Sequence, residues 1–99
     1  MQKTYTLNAD VWLYPGMAGW HFITLPAKTA DEIKTLFSEV KRGWGSLRVT
    51  VTIGKTTWKT SIFPDKKSNS YVFPLKAEVR KKEAIQAGDK VKFDLTVQG

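Results

Sequence analysis

Residues 71–97 read YVFPLKAEVRKKEAIQAGDKVKFDLTV, and their apolar period changes twice. Tyr71 to Leu75 is a short apolar run, the composition of a strand. From Lys76 to Ile85 the apolar positions Ala77, Val79, Ala84 and Ile85 suit a short helix, with Arg80, Lys81 and Lys82 among them. Gly88-Asp89 turns the chain. Val91, Phe93, Leu95 and Val97 then alternate with Lys90, Lys92, Asp94 and Thr96, which is the period of a half-buried strand.

The same grammar recurs upstream. Leu47, Val49, Val51 and Ile53 alternate with Arg48, Thr50 and Thr52; Gly54-Lys55 makes a two-residue hairpin turn, and a strand resumes from Thr56 to Phe63. There Trp58, Thr60 and Ile62 share one face, and Lys59, Ser61 and Phe63 the other. Pro64 to Ser70 has the polar composition of an exposed loop. Nearer the N-terminus, Tyr5, Leu7, Ala9, Val11 and Leu13 alternate with Thr6, Asn8, Asp10 and Trp12. Pro15-Gly16-Met17-Ala18-Gly19 is turn chemistry, and Trp20 to Leu25 is a strand closed by Pro26. Ile33, Leu36, Phe37 and Val40 then form a helical stripe. Thr29 and Glu32 have capping-box spacing, Asp31 and Glu32 suit the positive end of the dipole, Lys41 and Arg42 the negative end, and Gly43 a stop.

The order is β-β-α-β-β-β-α-β, which is β-β-α-β written twice. Pro26 leads through a helix to Gly45 and a strand; Pro74 leads through a helix to Gly88 and a strand. The expectation is one mainly β domain over residues 1–99: a small barrel of two halves about a pseudo-two-fold axis, its ends closed by two helices. Two α/β units converging on the same turn chemistry would leave similar marks.

Composition narrows function. The 99 residues carry 16 Lys and Arg against 9 Asp and Glu, a net charge of +7. Residues 1–49 hold six basic and four acidic side chains, residues 50–99 ten and five, so the second half carries +5. Such a field favours anionic partners, nucleic acid among them, and also keeps a small protein soluble. With no cysteine, disulfides, thiolate catalysis and Cys-ligated metals are excluded. A single histidine argues against a His-based metal site or triad. No apolar run approaches the ~20 residues that cross a bilayer. Met1-Gln2-Lys3-Thr4 does not open a signal peptide, so a cytoplasmic monomer without a membrane partner is expected.

Phe73-Pro74-Leu75-Lys76-Ala77-Glu78-Val79-Arg80 followed by Gly88-Asp89-Lys90-Val91 looks like the swapped-hairpin pattern of AbrB-type transition-state regulators and antitoxins. There lysine directly follows the proline; here Leu75 intervenes. Three blocks, Gly43-Trp44-Gly45-Ser46-Leu47-Arg48-Val49, Trp58-Lys59-Thr60-Ser61-Ile62-Phe63-Pro64, and Leu75 to Arg80 with Gly88-Asp89, resemble the domain-of-unknown-function family 1905 over residues 5–97. The resemblance implies a double-split β-barrel, AbrB-like in architecture, with two hairpin units in one chain. It implies no activity, cofactor or site.

Enzymatic signals fail individually. His21, between Trp20 and Phe22, reads as a packed or rim side chain. Ser46 and Ser61 lack an activating partner at motif spacing, and Gly43-Trp44-Gly45 lacks the length and the Lys-Ser/Thr of a phosphate loop. The reading is a non-enzymatic binding or scaffold module without cofactor or metal, its ligand unidentified. The alternative is a nucleic-acid-binding module on an AbrB-like frame. For it, Arg48, Lys59, Lys76, Arg80, Lys81 and Lys82 are candidate anion-binding residues. Trp12 and Trp58 are candidates for stacking. Solubilising surface charge and ordinary barrel core are the competing readings of the two sets. Arg80 has a second, structural reading, as the partner of Asp89 or Glu78.

Overall fold

A computed structural model describes residues 2–16, 19–39 and 45–98. Its elements follow the expected order: β1 (Gln2–Leu13), β2 (His21–Thr24), α1 (Ala27–Leu36), β3 (Leu47–Ile53), β4 (Thr56–Asp65), β5 (Ser70–Pro74), α2 (Ala77–Glu83) and β6 (Lys90–Gln98). The strands close into a six-stranded barrel in the order β1-β2-β5-β4-β3-β6. Every neighbouring pair is antiparallel. Closure gives each strand two neighbours, although β1 and β4 meet theirs over different stretches. Two strands change partner along their length. β1 pairs with β6 from Gln2 to Asp10 and with β2 from Val11 to Leu13. β4 pairs with β3 through Ile62 and with β5 from Phe63.

Alternation decides what fills the barrel. Val49, Val51, Ile62, Phe73, Phe93, Leu95 and Val97 point inward and are buried, with Phe73 and Phe93 edge to face at 5.5 Å. The helices plug the remaining openings: Ala30, Ile33 and Phe37 from the α1 segment, Val79 and Ile85 from α2 and the turn after it. Among the described residues no helix is long and apolar enough to cross a membrane.

The sequence misplaces the ends of both helices. α1 begins a turn earlier than the Thr29–Glu32 box requires, because the Pro26 carbonyl already accepts the Ala30 N–H. Its cap position carries no side-chain hydrogen bond, and no acidic residue lies in its first turn. Glu32 instead faces β1. Its carboxylate pairs with the Lys3 ammonium at 3.3 Å and lies beside the buried Tyr5 hydroxyl, which is not aligned for a hydrogen bond. Burial first, and Glu32 second, push the Tyr5 phenol up to about 12. The Tyr5 hydroxyl and the Lys3 ammonium in turn hold Glu32 below the ordinary carboxylate range. Leu36, expected on the buried stripe, is 36% exposed, and the stripe runs through Ala30, Ile33 and Phe37. Val40, Lys41, Arg42, Gly43 and Trp44, and Met17 and Ala18 in the first turn, lie outside the described residues.

α2 stops at Glu83 because Ala84 turns left-handed (φ 54°), letting the Ile85 N–H return to the Arg80 carbonyl. Ala77 and Ala84, expected on its apolar side, are exposed. Glu83 fastens the helix to the barrel: its carboxylate accepts the Thr56 hydroxyl at 2.7 Å and the Lys55 N–H at 3.4 Å in the β3–β4 turn. β4 runs two residues past its expected end, through Pro64, which stands opposite Tyr71. The polar loop therefore shrinks to residues 66–69, tied by Asp65 Oδ2, which accepts the Ser68 N–H and hydroxyl.

Candidate functional site

What alternation turns outward depends on which side of the barrel is viewed. Over β6, β3 and the first part of β4 the outer rows are polar, with Thr50 opposite Thr96 and Thr52 opposite Asp94. Along β4 the outward positions are Lys59, Ser61, Phe63 and Asp65. Arg48 stands opposite Ser61, whose hydroxyl oxygen accepts from its guanidinium at 3.5 Å, and Lys59 stands opposite Thr50. Arg48 and Lys59 are thus diagonal neighbours on one exposed face, as cross-strand geometry requires.

Past Phe63 the wall becomes apolar. The register aligns Trp12, Phe22 and Pro74 in one outer row and Thr24, Val72 and Phe63 in the next. Trp12, Phe22 and Trp20 form a continuous stack, with centroids 5.2 and 6.0 Å apart and planes within 30° of parallel. Tyr14 packs at an angle against Phe22, 5.8 Å away. The Trp12 indole N–H donates to the Thr24 hydroxyl at 2.9 Å, which fixes one end of the stack. The other end is open: Trp20 is 52% exposed, Tyr14 45% and Phe63 42%. Beside the stack lies a groove of about 440 Å³, lined by Trp12 to Pro15 from the first hairpin and Asp65 to Lys67 from the β4–β5 hairpin. Asp65 is occupied with the Ser68 turn. Lys66 and Lys67 are exposed, and neither makes an ion pair among the described residues.

The predicted site residues divide. Arg48, Lys59 and Trp12 belong to this wall and its border. Trp58 does not: it points inward opposite Val51 and packs against the core, half-buried. Lys76, Lys81 and Lys82 are exposed at α2, where Lys82 pairs with Glu78 at 3.4 Å. Arg80 is a structural cation. Its Nε donates to the Leu75 carbonyl at 3.1 Å and its Nη2 to the Gly19 carbonyl at 3.3 Å. Neither carboxylate expected as its partner holds it, because Glu78 takes Lys82 and Asp89 accepts the Gln86 N–H. Gly19 also lies against His21 Nδ1 at 3.0 Å. Arg80 therefore anchors the turn from which Trp20 projects, and bears on the wall through position rather than charge.

Sequence reasoning missed Tyr14, Trp20 and Phe22 as members of the site; it places Lys66 and Lys67 in an exposed polar loop that could add to an anion-binding surface, without locating them beside the rings. Parity could have found the rings. Tyr14 follows Trp12 by two, and Trp20 precedes Phe22 by two, so both pairs share the outer face of a hairpin.

A family model described as domain of unknown function (DUF1905) matches residues 8–95. No curated protein matches the chain.

Proposed function

Since the chain belongs to the family described as domain of unknown function (DUF1905), whose description names no activity, we propose a function from the barrel's own surface: a non-catalytic binding module. Its ligand face is the aromatic outer wall of β1, β2, β5 and β4. One observation carries this reading. Trp12, Tyr14, Trp20, Phe22 and Phe63 occupy outward positions, three of them widely open, where the alternation of a soluble barrel ordinarily places polar side chains. Rings at such positions do not serve the core; they serve a surface that is to be covered.

The barrel also reads as an internal duplication of the double-split, AbrB-like kind. Exchanging β1 with β4, β2 with β5 and β3 with β6 leaves every neighbour relation unchanged, and β1 and β4 are the two strands that change partner. The halves have diverged where it matters for ligands. The first hairpin bears the rings and the β4–β5 hairpin bears Lys66 and Lys67, which favours one asymmetric site over a symmetric surface spanning a duplex.

A ligand-observed NMR screen of small aromatic fragments tests the binding face. Hits should bind the native protein and be lost on Trp20→Ala, which removes an exposed ring without opening the core. Hits that persist unchanged in that variant would place the binding surface elsewhere.

A further inference from the structure

We infer that the wall takes single-stranded nucleic acid, a reading that rests on the binding face proposed above and names its ligand class. Two features of the wall coincide. The Trp12–Phe22–Trp20 stack ends on a ring with half its surface open, so a flat ligand ring can extend the stack by one step. Four cations border the wall, Arg48 and Lys59 beyond Phe63 and Lys66 and Lys67 in the groove, and none is in an ion pair among the described residues. A ligand that offers flat rings and a negative charge at each repeat satisfies both. An unpaired strand does so, because each base has a free face and each phosphate a charge. A duplex does not, since its base faces are already stacked inside the helix. An acidic peptide supplies the charge but not a ring at every repeat.

Fluorescence anisotropy with labelled (dT)20 and (rU)20 tests this, beside a 20-bp duplex and a 20-residue poly-glutamate peptide. Both single strands should bind at low salt, more tightly than the duplex. If all four border cations touch phosphate, the slope of log K against log salt should be about −2.8, at ~0.7 per contact. The double variant Lys66→Glu, Lys67→Glu should bring that slope to about −1.4. Trp20→Ala should weaken binding roughly 5- to 150-fold, the range for losing one stacked base. Both sites are exposed, and circular dichroism of each variant checks that the fold is kept.

Duplex binding equal to single-strand binding and indifferent to Trp20→Ala would overturn the proposal in favour of phosphate contact alone. Binding of poly-glutamate but of neither single strand would overturn the ligand class. No oligonucleotide binding, with fragments still captured at Trp20, would also overturn the ligand class and leave the binding face standing. Loss of both would remove the face as well. A protein that sediments as a dimer, and as a monomer after Trp20→Ala, would show that a second copy covers the wall and would likewise overturn the proposal.

Discussion

Replacing Arg80 with alanine isolates the link between α2 and the ring-bearing turn. The side chain is half-buried and makes two hydrogen bonds of unequal worth. The Nε bond to Leu75 is the shorter of the two and partly buried, and a charged donor to a carbonyl in that setting contributes about 1.5–2 kcal/mol. The Nη2 bond to Gly19 is longer and exposed, and that carbonyl also lies against His21 Nδ1, so its loss adds well under ~1 kcal/mol. The expected destabilisation is therefore about 2 kcal/mol, which lowers the melting temperature by about 8–16 °C for a domain of this size. Urea unfolding followed by circular dichroism reads the first quantity and a thermal melt the second. Arg80→Lys should recover less than half, because an ammonium reaches one carbonyl but not both in this geometry. Since the same arginine positions Gly19, fluorescence from Trp20 should become more mobile in the alanine variant. A loss below ~0.5 kcal/mol, the size of a surface change, would mean that both carbonyls are satisfied without Arg80 and that the anchoring argument is wrong.

Three further outcomes follow from the packing and the charges. Gly54→Ala should cost about 1–2 kcal/mol for its left-handed backbone (φ 56°) and, since the new methyl would meet the Glu83 carboxylate, should cost less in a Glu83→Ala background, as a double-mutant cycle in denaturant would show. Ile85→Ala should lose about 2–5 kcal/mol in the same assay, whereas a loss near zero would put that side chain in solvent. Stability should also fall as pH rises from about 10 towards 12. Tyr5 is held protonated up to about 12 by burial and Glu32, and burial raises Tyr71 too, so the folded state keeps protons that the unfolded chain has already released. Phenolate absorbance should show two late-titrating tyrosines. Glu32 acts at the opposite end of the scale: its lowered pKa stabilises the fold above the ordinary carboxylate value and is lost as pH falls through the lowered one.

Periodicity reveals the element order because it is a local property. The alternation at Leu47 to Ile53 and at Val91 to Val97 marks both strands and which side chains face inward. The helix ends were harder to read, since capping is decided by what else competes for the same groups. Glu32 has the spacing to cap α1, but its carboxylate pairs with Lys3 and lies beside Tyr5 on a distant strand. Arg80 likewise was visible as an unusual residue, and its partners were not. Two backbone carbonyls, one of them 61 residues away, leave no mark on side-chain identity. The candidate site was half legible. Parity turns Trp12 outward, whereas Trp58 shares the face of Ile62 and packs half-buried against the core, so its ring is not on the outer wall. The groove draws on two hairpins far apart in sequence, and only the β2–β5 and β4–β5 pairings bring Trp12 and Lys67 to one wall.

The indole N–H resonances of Trp12, Trp20 and Trp58 in a ¹⁵N-labelled sample, titrated with (dT)10, test the binding wall most directly. Trp12 and Trp20 lie in the stack on the outer wall, and Trp58 packs inward against the core. The proposed binding wall requires that the Trp20 resonance move most, that Trp12 follow as the stack adjusts, and that Trp58 stay in place. Shifts confined to Trp58 or to the amides of α2, with Trp12 and Trp20 unmoved, would contradict it.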